Sequence, residues 1–106
     1  MTSFDKREKA FEDKYKHDQE LKFKVEVRRN KLLGLWAAEM LSLTGADADA
    51  YAKEVIAADF DEPGVADVVR KVYADFQAKN IEMSEHRLHK KLEELIDVAK
   101  QQIMNE

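Results

Sequence analysis

Apolar residues at spacings of three and four draw two continuous stripes in the second half of the chain. The first is Val65, Val68, Val69, Val72, Tyr73 and Phe76, and the second Leu88, Leu92, Leu95, Ile96, Ala99 and Ile103. Each predicts an amphipathic helix with one buried face. Asn80 is expected to end the first and Ser84 to cap the second, its hydroxyl accepting from an otherwise orphan N–H. Upstream, Ala48, Tyr51, Ala52, Val55 and Ile56 share one side of a shorter helix, from about Asp47 to Asp59. Glu62-Pro63-Gly64 reads as a turn, because Pro63 pushes Glu62 out of helical geometry. Thr44-Gly45 separates the short helix from what precedes it, with Gly45 expected as the left-handed stop.

Leu21-Lys22-Phe23-Lys24-Val25-Glu26-Val27 alternates like a half-buried strand. No turn residue lies between Glu20 and Gly34, however, and no second strand exists to pair with it. A lone strand would leave its backbone groups unpaired, so a helix is predicted. Leu21, Val25, Leu32, Trp36, Met40 and Leu43 then share a face. Trp36 is expected to anchor the core. Gly34 is expected to mark a close helix approach, at a cost of ~1 kcal/mol relative to Ala.

The start of the chain contrasts with this. From Thr2 to Glu20 only Phe4, Ala10, Phe11 and Tyr15 are apolar, whereas residues 32–43 are densely so. The charged segment is still helical in pattern. Ser3 can cap it, Asp5 with Lys9 and Asp18 with Lys22 pair at i,i+4, and nothing breaks it. Such a helix is marginal alone in water. The expectation is a single domain over residues 1–106, with a detachable arm over 1–19 and a folded body over 20–106 that leaves the arm for a partner.

Composition supports an all-α four-helix bundle. Charged residues make up 38% of the chain while only three Gly and one Pro are present, too few turn formers for a sandwich or barrel. Without cysteine there is no disulfide framework or thiolate site. No apolar run approaches the ~18–20 residues that span a bilayer, and the N-terminus has neither a signal peptide's apolar core nor a transit peptide's lack of acids. A cytoplasmic location without membrane insertion is expected. Residues 1–36 carry ten Lys/Arg against seven Asp/Glu, and residues 37–69 one Lys against eight acids. No basic face stands clear of carboxylates, which argues against nucleic acid.

Candidate chemistry is sparse. Gly34, Gly45 and Gly64 are isolated, so no loop cradles phosphate. His86 and His89 could face one way with Glu82, Glu85 and Glu93 near, but they fall beside the Leu88/Leu92 stripe and read as helix surface. His17 stands alone in the charged arm. Ser42 and Ser84 occupy helix ends, and Asp59, Asp61 and Glu62 belong to a loop in a body too small for a sugar cleft. No metal, cofactor or enzymatic activity is expected. Arg28, Arg29 and Lys31 could meet the phosphates of ATP or ADP, so a nucleotide-sensing module is one alternative. A generic helical adaptor is another.

The string Arg28-Arg29-Asn30-Lys31-Leu32-Leu33-Gly34-Leu35-Trp36-Ala37-Ala38-Glu39 has a further meaning. With Thr44-Gly45-Ala46, Asp49 to Val55, and Asp59-Phe60-Asp61-Glu62-Pro63-Gly64, it closely resembles the alphaproteobacterial zeta subunit of the F1Fo-ATPase, a family also described as a domain of unknown function. The opening Phe4 to Glu12 is similar to the family's N-terminus, with Lys6 where that pattern is more often acidic. The resemblance covers essentially the whole chain. It implies a four-helix bundle whose N-terminal arm inhibits ATP hydrolysis by F1, entering a catalytic α/β interface and touching the γ stalk. It also implies a protein peripheral to the inner membrane through F1. On this chain the arm's contacts would come from Phe4, Phe11 and Tyr15 as apolar anchors. Lys6, Arg7 and Lys9 would face carboxylates, and Asp5, Glu8 and Glu12 would face basic groups.

Overall fold

The computed structural model describes the backbone of residues 2–58 and 64–106, and within these the side chains from residue 17 onward. Four helices account for nearly all of it: α1 (Thr2–Met40), α2 (Gly45–Ala58), α3 (Ala66–Ala78) and α4 (Glu85–Met104), with no strand among the described residues. The chain is an all-α four-helix bundle. At 1.5 Å per residue α1 alone is about 58 Å long. It therefore sets the long axis of a molecule measuring 66 × 26 × 20 Å. The stretch that alternates like a strand lies inside this helix.

Phe76, Leu33, Leu88, Val55, Val68 and Val72 are completely buried and form the core, with Leu41, Val69 and Leu92 against them. Each such side chain contributes roughly 1.5–3 kcal/mol by leaving water. The stripe read for α3 falls on this core, as do Ala48, Tyr51 and Val55 of α2 and Leu88, Leu92 and Leu95 of α4, whereas Ile56, Ile96 and Ile103 are half-buried outside it. In α1 the buried centre is different from the expected face. Asn30, Leu33, Gly34, Ala37, Ala38 and Leu41 are enclosed, whereas Leu32, Trp36, Met40 and Leu43 are half-buried on its shoulder and Leu21 is exposed. The reason is that α1 receives α2 on one side and α4 on the other. Its small residues mark the closest approach, and its large ones fill the flanks. Trp36 does anchor the core from this shoulder, its ring 6.2 Å from that of Phe76 and edge-on to it.

The ends of α1 and α3 share one device. Leu43 N–H donates to Ala38 C=O at 2.8 Å and Ser42 N–H to Glu39 C=O at 3.1 Å. Ile81 N–H likewise donates to Phe76 C=O and Asn80 N–H to Gln77 C=O. These are paired 6→1 and 5→2 bonds, closed by Ser42 (φ 63°) and Asn80 (φ 59°) in the left-handed region. Asn80 was the expected stop for α3. For α1 the stop is Ser42 and not Gly45, which instead opens α2 with φ 55°. Lys79 Nζ donates to the Leu41 carbonyl at 3.2 Å, placing a cation at the negative end of α1. Ser84 caps α4 as expected, its Oγ accepting from Arg87 N–H at 3.1 Å. Gly64 (φ 90°) lies in the bend before α3; Glu62 and Pro63, with Asp59 and Asp61, lie outside the described residues.

Candidate partner-binding surface

α4 runs antiparallel to the second half of α1. Lys91 Nζ sits 5.3 Å from the Trp36 ring centroid, and at the other end Arg28 Nη1 donates to Gln102 Oε1 at 2.9 Å. Arg28 also pairs with Glu106. Beyond this point α1 is only loosely covered: every side chain from His17 to Lys24 is exposed. The alternation at 21–27 now has an explanation. On a helix a period of two scatters apolar residues around the cylinder, so one neighbour cannot cover them all. Leu21 and Val25 face Ile96 and Lys100 of α4 across an open cleft of about 520 Å³. Phe23 and Val27 face Ile103 on the other side across a cleft of about 350 Å³. Phe23 remains 58% exposed, the most exposed aromatic ring among the described residues.

The basic triad is split by this geometry. Arg28 and Lys31 line the Phe23 cleft, while Arg29 lines the Leu21 cleft and donates through Nε to Asn30 Oδ1 at 3.1 Å. Arg28 also borders a third cleft of about 590 Å³, formed with Asp97, Val98, Gln101, Gln102 and Asn105 of α4 and its end. Phe4, Asp5, Lys6, Arg7, Glu8, Lys9, Phe11, Glu12 and Tyr15 belong to the N-terminal half of α1, and their side chains lie outside the described residues. His86 and His89 are exposed, and no group of three His, Cys, Asp or Glu suited to a metal occurs among the described residues. No described helix is long and apolar enough to cross a membrane.

A separate polar cluster ties α2 to α3. Tyr51 is buried and donates its hydroxyl to Asp75 Oδ2 at 2.8 Å. Lys71 reaches the same carboxylate at 2.8 Å and Glu54 at 3.2 Å, with its ammonium 5.1 Å from the Tyr51 ring centroid. Burial, then the bond to Asp75, pushes the Tyr51 phenol far above its usual range. Burial pulls the Lys71 ammonium down, but its bonds to Asp75 and Glu54 outweigh this and raise it. These groups satisfy one another and leave nothing poised for chemistry.

A family model described as ATPase inhibitor subunit zeta matches residues 1–102. The chain belongs to that family. A solved solution NMR structure is similar to it at 49% identity with a TM-score of 0.72, covering 80% of this chain and 96% of that one. No curated protein matches it significantly. The zeta family is one of regulatory ATPase inhibitors, and its model spans both the projecting end of α1 and the body. Sequence reasoning missed the Phe23 cleft, whose α4 side is built by Ile103 and Glu106, beyond the stretch the zeta model matches. The surplus of apolar residues at 21–27 was the signal that could have found it.

Proposed function

We propose that this chain binds the F1 sector of an ATP synthase and inhibits its hydrolysis of ATP. Residues 1–19 are the inserting element, and residues 20–106 are the body that holds it. Membership of the zeta family supports the inhibitor role. The observation that carries the assignment of the arm is continuity: α1 runs unbroken from Thr2 to Met40, and its side chains from His17 to Lys24 are exposed. A helix presented this way can enter a cleft between subunits without the body unfolding.

Inhibition of this kind needs no reacting group. Phe4, Phe11 and Tyr15 bury apolar surface between the α and β subunits and against the γ stalk. Lys6, Arg7 and Lys9 meet carboxylates there, and Asp5, Glu8 and Glu12 meet basic groups. An arm lodged there blocks rotation in the hydrolysing direction. ATP hydrolysis by F1 from the same source, titrated with the full chain and with a chain beginning at Glu20, tests the reading. Inhibition by the first alone is expected; no inhibition by either would sink it.

A further inference from the structure

We propose that the cleft between Phe23 of α1 and Ile103 of α4 is a second docking point for the F1 sector, taking an acidic segment that carries an apolar anchor. This rests on the inhibitor reading above and extends it from the arm to the body. The cleft has an apolar wall of Phe23, Val27 and Ile103, and a basic rim of Lys24 and Lys31. Phe23 is thus one side of a formed recess and not a lone ring on a convex surface. At about 350 Å³ the recess has room for a partner's side chains.

Charge decides what those side chains are. The acid at this cleft, Glu106, is already paired with Arg28. Among the described residues neither Lys24 nor Lys31 makes an ion pair, so two ammonium groups flank an apolar recess without a counter-charge. An aromatic wall rimmed by polar charge is the usual make-up of an energetic centre in a protein interface. Position decides which partner it is. Phe23 follows residue 19 by four residues, about 6 Å along the same helix. Lys24, Val27 and Lys31 continue on one face at i, i+3 and i+7. A partner gripping the arm up to residue 19 therefore meets this recess next.

The test uses the full chain with substitutions at exposed positions, each checked by thermal melting. Phe23→Ala is expected to raise the half-inhibitory concentration for F1 by about tenfold, the usual loss at an aromatic anchor. Lys24→Glu with Lys31→Glu is expected to weaken inhibition comparably and to flatten its dependence on salt. Lys22→Glu, on the Leu21 side of the same helix, is expected to change little. Unchanged inhibition by the Phe23 and double-lysine variants, while the unaltered chain inhibits, would overturn the second docking point alone. An equal effect of Lys22→Glu would overturn it too, by showing a general charge effect. Absence of inhibition by the unaltered chain would overturn the inhibitor reading itself, and this inference with it.

Discussion

Gly34 of α1 and Ala52 of α2 meet backbone to backbone. A Cβ on residue 34 would stand 2.7 Å from the Ala52 Cα and 3.3 Å from the Val55 Cβ. Real Cβ atoms do not approach so closely, and a neighbouring backbone cannot swing aside as a flexible side chain could. Gly34→Ala gains about 1 kcal/mol of helix propensity. It loses more by prising α2 off α1, at roughly 1–3 kcal/mol for overpacking. A net fall in stability is expected in urea unfolding. A rise would mean that the two helices slide apart at little cost.

Ser42 holds the left-handed position that closes α1, where an L side chain costs roughly 1–2 kcal/mol. Ser42→Gly relieves this, in part offset by the greater freedom of glycine in the unfolded chain. A gain of about 0.5–1 kcal/mol is expected, seen as a higher Tm. Gly45→Ala, at φ 55°, is expected to lower it.

Tyr51 predicts how stability responds to alkali. Its phenol is raised in the folded protein, mainly by burial and then by the bond to Asp75. The unfolded chain releases this proton near pH 10 and the folded one holds it. Stability is therefore full below about pH 10 and falls as pH rises beyond it. Lys71 is also raised and adds to the same limb. Tyr51→Phe is expected to lose about 1 kcal/mol at neutral pH with the hydroxyl's bond, and to show a shallower alkaline decline. Identical alkaline slopes for the two proteins would contradict the assignment.

The proposed arm predicts a separation of function from fold. Phe4→Ala with Phe11→Ala removes two of its three large apolar side chains. Inhibition of F1 is expected to weaken strongly, by about a hundredfold if each ring is an anchor, with the circular dichroism of the helices unchanged. An unaltered inhibition curve would remove both rings from the mechanism.

The legible and illegible parts of the fold divide along one physical line. In α3 and α4 the core is made of large residues at helical spacing, so Val68, Val72, Phe76, Leu88 and Leu92 announce the buried face. In α1 the most buried positions include Gly34, Ala37 and Ala38, whose role is to be small. A reading weighted by hydrophobic size therefore rotated the helix toward Trp36 and Met40. Glycine's preference for the left-handed region points to Gly45 as the stop, but the site is set by the Leu43–Ala38 bond and falls on Ser42. The Phe23 cleft needed the end of α4 to lie beside α1, a pairing between residues some eighty apart that no local pattern encodes.

The unbroken course of α1 has a mechanical corollary. Its one glycine is clamped against α2 and its other residues include no proline, so no hinge separates tip from body. About 40 Å of helix lies between Thr2 and the buried Asn30. Over that span the body works as the short end of a lever. A small tilt where α1, α2 and α4 grip one another becomes a displacement of several ångströms at the tip, and a load on the tip returns to the seam between Gly34 and Ala52.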